Sequence, residues 1–339
     1  MTLSTQFHVD TQFTTQDLAL SLDMFSDRVL KPAVAAIANK IDRDGLVMAK
    51  NNTANIVGTA GTPPTGLITY LTAAAYLDAE GAPRDGRRSC IVEPFTSATI
   101  VDSLKGLFVP QEAIGEQYRK GLMGRDSAGM NWKMDQNVVS QTFGSYSTAV
   151  LSCNTSTATG FLTSGWASSS TIALSATTAS ASLNVGDVIQ IANVYAVNPQ
   201  NRQAYGSNKL RNFVVTAAAT VATSGTTSVT VSPAVITAGQ FQNVSVTSPG
   251  ASTVTPFNNT GTVSPQNIIM HRNAFTLAVA DLELPEGVHF AGRASDKEIG
   301  LSMRVVRQYT INNDSIPTRL DVLYGWAPLY PELACRVAA

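Results

Sequence analysis

The chain has 339 residues, a formal net charge of −1 and 44% hydrophobic residues. A chain of this length can bury a core without disulfide or metal staples, and its three cysteines (Cys90, Cys153 and Cys335) form no C-x-x-C pair. The balanced charge gives no indication of tight, electrostatically driven binding of nucleic acid, although it leaves weak contact open. Because the N-terminus MTLSTQFHVD has no signal-peptide pattern and no apolar run approaches the ~20 residues that span a bilayer, we expect a soluble, non-secreted protein without a membrane span.

The N-terminal flank begins with QFHVDTQF, whose alternation predicts a strand. The next stretch, TTQDLALSLDMFSDRVLKPAVAAIANKID, has apolar residues at helical spacing, and Thr14 with Asp17 resembles a capping box. These features predict a long amphipathic helix from Thr15 to about Asp42. Pro32 removes one backbone donor, but the apolar pattern resumes in phase after it, so we expect a kink and not a break.

Shorter elements follow this helix. The Gly- and Pro-rich stretch NNTANIVGTAGTPPTGLITY predicts a loop, and residues 71–80 predict a short helix. CIVEP predicts a buried strand, FTSATIVDSLKGLF a helix started by Thr96 or Ser97, and PQEAIGEQYRKGLMG a further turn or two of helix.

The middle of the chain is almost free of charge. Between Gln136 and Met270 the charged residues are Asp187, Arg202, Lys209 and Arg211, whereas both flanks have ordinary charge density. This shift is typical of an inserted domain; a disordered linker is the competing interpretation.

Apolar alternation within this region favours the folded interpretation. The segments TIALSA, DVIQIANVYAV, NFVVTA and SVTVSPAVI predict short strands, separated by turn-forming clusters such as LNVGD and SPGAS. Several short strands at close spacing predict a small antiparallel barrel or sandwich. The residues predicted to face inward include Ile172, Leu174, Val188, Tyr195, Val229 and Val231.

The C-terminal flank returns to mixed structure with NIIMHRNAFTLAVADL and ends in two long predicted strands. These strands lie in EIGLSMRVVRQYTINNDSIPTRLDVLYGWAPLYPEL and are joined near residues 312–315. Leu320, Val322 and Tyr324 alternate with Arg319 and Asp321, which predicts one apolar and one polar face. Together the two flanks predict one α+β body.

Few residues are arranged for chemistry. GRDSAG places Ser127 between glycines, loosely like a serine nucleophile turn, but only His8 precedes it as a base, so a loop is favoured. His8, His271 and His289 have no metal-ligand spacing, and the acidic clusters 78–80 and 281–286 are typical of exposed turns. Trp166 and Trp326 are expected to be packing residues. We therefore predict no catalytic, cofactor or metal site, and no enzyme.

A resemblance adds to this interpretation. FTTQDLALSLDMFSDRVLKPAVAAIANKID, HRNAFTLAVADLELPEG and above all RLDVLYGWAPLYPELACRV resemble the major coat proteins of short-tailed phages of the Salmonella podophage type. The resemblance covers nearly the whole chain, although the inserted region matches by position and composition more than by motif. It implies the Hong Kong 97-type capsid fold, with a spine helix, an axial domain and an inserted small antiparallel β-barrel.

The resemblance also implies a domain order. Residues 1–89 hold the N-terminal strand, spine helix and loop of a peripheral domain, and residues 90–150 the first part of the axial domain. Residues 151–264 form the β-rich insertion domain, 265–297 the second part of the axial domain, and 298–339 the peripheral β-hairpin and C-terminus. The family has a long arm and extended loop before its spine helix, whereas about fourteen residues precede it here. This difference implies either a truncated start or a homologue without those elements.

As a coat protein, the chain is expected to self-assemble as hexamers and pentamers into an icosahedral shell that encloses DNA without sequence-specific binding. The resemblance also implies a scaffolding protein and a portal as partners, synthesis in the cytoplasm of the host bacterium, and a final place in the virion capsid. Arg202, Lys209 and Arg211 are candidate contacts with acidic groups of a neighbouring subunit; solvation of a loop is the alternative role. The rival functions are a β-rich virion or cell-surface receptor-binding protein and, more distantly, a hydrolase built on Ser127.

Overall fold

The protein is described by a computed structural model that covers residues 3–14, 16, 30–103, 128–146, 150–154, 161–177, 179–205, 209–223, 225–246, 252–258, 261–296 and 300–339. Within these ranges the helices are α1 (Lys31–Asn52), α2 (Leu67–Ala79) and α3 (Pro94–Ser103). The first strands are β1 (Thr5–Thr14), β2 (Ile56–Gly58), β3 (Arg88–Val92), β4 (Asn131–Met134), β5 (Ser140–Thr142), β6 (Leu151–Cys153) and β7 (Ser170–Ala176). The next are β8 (Ala181–Leu183), β9 (Val188–Ala196), β10 (Leu210–Val215), β11 (Ala219–Val221), β12 (Thr227–Ser232), β13 (Val244–Val246) and β14 (Ser252–Pro256). The last are β15 (Val263–His271), β16 (Phe275–Ala280), β17 (Phe290–Asp296), β18 (Leu301–Arg307), β19 (Ser315–Pro328) and β20 (Ala334–Ala338).

The chain divides into two compact units. Unit 1 contains Met1–Met48 and Phe275–Ala327, and unit 2 contains Ala49–Ala274 and Pro328–Ala339. The predicted domain boundaries after residue 89 and between residues 297 and 298 do not coincide with the limits of these two units. The five-part domain order stays a prediction, while the α+β class with an inserted barrel is confirmed.

Unit 1 is an antiparallel sheet with a helix on one face. Its strands follow the order β1-β19-β18-β17, and β16 also pairs with β19. Strand β1 pairs with β19 in an uninterrupted register from Thr5 opposite Tyr324 to Thr14 opposite Ser315. Helix α1 presents Ala33, Ile37 and Ile41 at helical spacing. They pack on the inward face of β19, which carries the predicted Leu320, Val322 and Tyr324.

The predicted polar face of β19 is only partly exposed. Arg319 is exposed and pairs with Asp10, but Asp321 is fully buried, so its predicted exposure is wrong. Its carboxylate accepts hydrogen bonds from Arg304, at 3.0 and 2.5 Å, and from Gln6 Nε2 at 3.0 Å. The charged Arg304 and the amide of Gln6, on the neighbouring strands, compensate for the burial of this carboxylate.

Helix α1 continues past the predicted end near Asp42. It reaches Asn52, because Leu46 and Ala49 prolong its buried side and Gly45 lies against the ring of Trp326. The Trp326 indole donates from Nε1 to the Ile41 carbonyl at 2.9 Å, so Trp326 is a packing residue as predicted. The first half of the predicted helix, 17–29, and its kink before Pro32 lie outside the described residues.

We expect Gly45→Ala to destabilise unit 1. The new Cβ would lie 2.7 Å from Cε2 and Cζ2 of Trp326, whose indole is already fixed by its hydrogen bond. Overpacking of this kind costs about 1–3 kcal/mol, which outweighs the ~1 kcal/mol that alanine gains over glycine in a helix. Urea denaturation checks the change in unfolding free energy, and Ala36→Gly on the exposed side of α1 calibrates the helix-propensity term. A more stable Gly45→Ala variant would contradict the packing argument.

The main sheet of unit 2 has the C-terminal strand β20 in its interior. Its order is β2-β20-β15-β3-β4, with β5 also on β15; β2 runs parallel to β20 and β3 parallel to β4. Helix α2 buries Tyr70, Ala73, Ala74 and Leu77 against it, and α3 adds Ile100. Both helices begin earlier than predicted, at Leu67 and Pro94, and β2 lies within the predicted loop. The predicted helix over PQEAIGEQYRKGLMG lies outside the described residues.

The inserted region of unit 2 closes into a barrel. Its strands pair in the order β10-β12-β7-β6-β14-β9, and β9 pairs with β10 to complete the ring; β13 adds to β9. Closure removes the free strand edges that an open sheet would leave. Ile172, Leu174, Val229 and Val231 lie in its apolar core, as predicted. The Ser- and Thr-rich segment that begins at Ser152 therefore contributes the strands β6, β7 and β8.

Two predicted inward residues of β9 lie elsewhere. Tyr195 is only half-buried, and its neighbour Val194 occupies the core. Asn193 has a left-handed φ of +65°, and the pairing of β10 with β9 shifts between Leu210 and Asn212. This irregularity exchanges the two faces of the strand, which a strict alternation could not predict. Val188 is buried, but on the outside of the barrel.

Candidate functional site

The barrel is fixed to the main sheet of unit 2 through an apolar contact on its outer wall. Val188 of β9 and Val214 of β10 are buried there with Ala54, Ile56, Phe143 and Ala338. We call this contact, together with the polar groups Lys50, Gln141, Asp187 and Arg336 described next, the barrel junction. Both halves of the junction belong to unit 2.

Asp187 is the polar centre of the barrel junction. It follows Gly186, whose φ of +92° forms the tight turn before β9, and it is fully buried. Its carboxylate accepts hydrogen bonds from the backbone N–H groups of Gly144 (2.9 Å) and Asn184 (2.8 Å), and from Gln141 Nε2 (2.9 Å). Burial raises the pKa of Asp187, and these three hydrogen bonds act in the opposite direction.

Lys50 extends this network from the end of α1. Its Nζ donates to Gln141 Oε1 at 2.5 Å, and the same amide donates to Asp187. Burial, aided by the charge of Arg336, lowers the pKa of Lys50 to about 8, although the Asp187 carboxylate opposes this. Lys50 therefore loses its proton near neutral pH more readily than an ordinary lysine.

The lowered pKa of Lys50 predicts a pH dependence of stability. Between about pH 8, the folded value, and the ordinary 10.5, the unfolded chain binds a proton that the folded chain does not. The unfolding free energy contributed by Lys50 therefore rises with pH across this window, by at most about 1.4 kcal/mol per pH unit for one proton. We expect Lys50→Met to remove this part of the slope in urea titrations at stepped pH. Identical slopes for the two proteins would contradict it.

Arg336 is a buried cation in β20, which lies between β2 and β15. Its side chain is fully buried, and its guanidinium nitrogens have no hydrogen-bond partner among the described residues. Burial lowers its pKa to about 10, while the charge of Asp187 has the opposite effect. Asp187 is thus the anionic group that both Lys50 and Arg336 face across the junction.

A second polar contact joins the barrel to α2. Arg211 of β10 is buried, and its Nη1 lies 2.5 Å from Oε1 of Glu80, which follows the last turn of α2. Lys209 lies over the ring of Tyr76, with Nζ 3.5 Å from the ring centroid, and the Tyr205 hydroxyl donates to the Ala79 carbonyl. Burial raises the pKa of Glu80, and the Arg211 charge opposes this.

The three candidate inter-subunit residues therefore have different surroundings. Arg211 contacts Glu80 and Lys209 contacts Tyr76, both within the same chain. These contacts differ from both roles considered from the sequence, which are contact with a neighbouring subunit and solvation of a loop. Arg202 is exposed in the turn after β9, with a φ of +59°. The contact with a neighbouring subunit stays a prediction for all three; Arg202 and Lys209 are exposed, and Arg211 is buried.

A groove in unit 2 exposes several aromatic side chains. It has a volume of about 340 Å³ and is bordered by Trp166, Phe241 and Tyr330, which are 70%, 46% and 62% exposed. Trp166 is therefore not the packing residue that the sequence predicts. Phe95 and Ile311 are further exposed large apolar side chains. Exposed apolar patches of this kind are typical of protein–protein contact surfaces.

A comparison with known sequence families shows which family the chain belongs to. The family described as "P22 coat protein - gene protein 5" matches residues 5–336. The chain belongs to the P22 coat protein family. This is a family of structural capsid proteins, so the predicted resemblance is confirmed.

Solved phage structures resemble the coat protein over almost its whole length. The chain is similar to a structure from Mycobacterium phage Che8, with 10% identity, a TM-score of 0.41, and coverage of 99% of this chain and 71% of that one. The capsid of cyanophage P-SCSP1u has 9% identity, a TM-score of 0.46, and coverage of 98% and 72%. The mature capsid of bacteriophage PhiM1 has 10% identity, a TM-score of 0.43, and coverage of 100% and 72%. A search of curated proteins finds no match. The family assignment therefore rests on the sequence family.

The other chemical candidates lie apart in the coat protein. Ser127 is outside the described residues. His8 is exposed 3.5 Å from Asp10, His271 is buried 3.2 Å from Asp85, and His289 is exposed. Over the described part of the chain, no three His, Cys, Asp or Glu side chains group closely enough to hold a metal ion. None of the helices described is long and apolar enough to cross a membrane.

The residues of the barrel junction were only partly predictable. Asp187 of the junction, like Arg211 of the second polar contact, is prominent in the sequence as a charge in an uncharged region, and its position after Gly186 predicts only a turn. Arg336 and Lys50 gave no signal, since each lies in a segment of ordinary composition. The partners come together only when strands distant in sequence pair.

Proposed function

We propose that this coat protein is the major capsid protein that self-assembles, as hexamers and pentamers, into an icosahedral shell enclosing phage DNA. The match of residues 5–336 to the coat protein family carries this proposal. The exposed aromatic groove and the other exposed apolar side chains support it, because a closed shell needs self-complementary surfaces on every copy. The fold proposed is the Hong Kong 97 type, with the insertion domain over residues 151–264 and a structural rather than enzymatic role.

The partners follow from this role. We propose that a scaffolding protein and a portal take part in assembly in the host cytoplasm, and that the shell contains DNA without sequence-specific contacts. A formal net charge of −1 supports the last point, since an inner surface without a strong basic excess holds packaged DNA without tight binding. A steep salt dependence of duplex-DNA binding by isolated subunits would contradict it.

Particle formation tests the proposed function directly. Sedimentation velocity and negative-stain microscopy of the purified full chain should show shells, or ring-shaped oligomers of five or six copies. A protein that remains monomeric at all concentrations would contradict self-assembly. It would then favour a β-rich receptor-binding protein, which glycan and cell-surface binding assays would examine next.

We propose that Arg202 is the member of the predicted charge set that reaches a neighbouring subunit. Its side chain is exposed, whereas Arg211 is buried against Glu80, and Lys209, also exposed, lies over the ring of Tyr76. We expect Arg202→Glu to lower the shell yield several-fold without changing the unfolding free energy, because an exposed charge contributes little to the monomer. Arg202→Gln, which removes the charge without reversing it, should give a shell yield between those of the unchanged protein and the Arg202→Glu variant. Unchanged yield with Arg202→Glu, measured by sedimentation, would contradict the proposal.

A further inference from the structure

The sheet of unit 1 ends in two open strand edges. Along its path β1-β19-β18-β17, strand β1 is the first strand and β17 the last. Within the described ranges, residues 5–12 of β1 pair only with β19, and residues 290–295 of β17 pair only with β18. Each outer edge therefore presents a row of backbone N–H and C=O groups to solvent.

Neither edge has a proline, a lysine or a bulge, three of the features that proteins use to prevent strand pairing; the charges are Asp10 on β1 and Arg293 and Asp296 on β17. Strand β1 has ten residues and β17 has seven, without a proline or a lysine in either. Their registers with β19 and β18 run without a bulge. Long regular edges of this kind are templates for a further strand. Phe290 on β17 is 53% exposed, which leaves an apolar side chain at the edge uncovered.

Strand direction and side-chain faces both allow the two edges to join. Successive strands along the path are antiparallel, so β1 and β17 run in opposite directions. If a second copy continues the sheet, its β1 lies antiparallel to β17. The register places Arg293, Arg304, Asp321 and His8 in one cross-strand row. All four side chains therefore share one face, and the apolar faces coincide in the continued sheet.

The charges at the two edges are complementary. Arg293 is directly opposite Arg304, a like charge, and its exposed ion pair with Asp281 is long at 3.4 Å. On β1, Asp10 lies on the same face as His8, two positions along the strand; it is exposed and already accepts two hydrogen bonds from Arg319, so it would be shared with a second arginine. If this row continues into the second copy, His8 of that copy lies opposite Arg293. Asp10 of the same copy is then diagonal to Arg293, within reach of a long side chain.

We propose that β17 of one copy pairs with β1 of the next copy to form a sheet that continues across subunits. The contact joins two different edges, so it is heterologous, and repetition of it generates a closed ring when the rotation between copies closes. This inference rests on the proposed self-assembly and specifies one of its contacts.

Site-specific crosslinking in assembled protein tests the pairing. One full-length chain carries His8→Cys and another carries Ala291→Cys; both sites lie on the shared face, and Asp10 and Arg293 remain intact. The native Cys90, Cys153 and Cys335 are buried, which limits background reaction. The two chains are co-assembled, treated with a short bis-maleimide, and separated on denaturing gels. Sedimentation of the same sample reports assembly independently.

The edge pairing predicts crosslinked dimers, several-fold above either variant alone, in the mixed sample. A chain carrying both cysteines should give a ladder of multimers. Particles that form without heterodimeric crosslinks would overturn the pairing and leave the proposed function intact. Crosslinks within the His8→Cys sample alone would indicate two-fold β1 pairing and also overturn it. A protein that stays monomeric by sedimentation would contradict both proposals.

Discussion

Replacing Asp187 with alanine should destabilise the barrel junction by about 3–5 kcal/mol, the usual cost of removing one partner from a buried charged network. The substitution leaves the backbone N–H groups of Gly144 and Asn184 without their acceptor. It also removes one of the acceptors of the Gln141 side-chain amide, which keeps the carbonyls of Thr142 and Val185. It also removes the carboxylate whose charge compensates Lys50 and Arg336. Both effects are large because these groups lie away from solvent.

Two further variants separate the hydrogen bonds from the charge. Asp187→Asn keeps one acceptor oxygen but loses the charge, so its loss of stability should be smaller than that of the alanine variant. Asp281→Ala is the matched surface control, because Asp281 is exposed and holds only a long ion pair; it should change stability by less than about 0.5 kcal/mol. Urea denaturation followed by circular dichroism measures all three. An alanine variant as stable as the surface control would refute the central role of Asp187.

The sequence predicted the barrel because alternation is a local property. Ile172 and Leu174, and likewise Val229 and Val231, repeat every second residue and lie in the barrel core as expected. The sequence leaves a barrel and a sandwich as alternatives. The pairing of β9 with β10 closes the ring and decides between them. The exchange of faces at Asn193 was not predictable either, since its left-handed backbone interrupts the alternation without any change of composition.

The candidate site was harder to predict than the fold. Charges are rare in the inserted region, so Asp187 and Arg211 stand out in the sequence. The sequence nevertheless predicts only a turn for Asp187, and for Arg211 a contact with a neighbouring subunit or a role in solvating a loop. Glu80 is 131 residues from Arg211 in the sequence, and no local pattern connects them. Asp321 shows the opposite error: alternation predicted an exposed residue, yet Arg304 and Gln6 provide enough hydrogen bonds to bury it. Tertiary pairing decides such cases.

The second large effect is expected at the ion pair between Arg211 and Glu80. Arg211→Met should cost about 3–5 kcal/mol, because Glu80 then remains buried without its cation. The double variant Arg211→Met with Glu80→Leu should recover most of that loss, since replacing a buried pair by apolar side chains is often neutral. Urea denaturation of the two single variants and the double variant forms a cycle that isolates the coupling.

The pH dependence of the single variant provides an independent check of this cause. Burial already raises the pKa of Glu80, and removal of Arg211 takes away the charge that opposes the rise. A raised carboxyl pKa means that folding favours the protonated form, so stability is retained at low pH and lost as pH rises through the folded pKa. The deficit of Arg211→Met should therefore shrink in mildly acidic buffer, while Arg202→Met, an exposed control, should show no deficit at either pH. A deficit that is independent of pH would mean that lost packing, and not an uncompensated carboxylate, destabilises the variant.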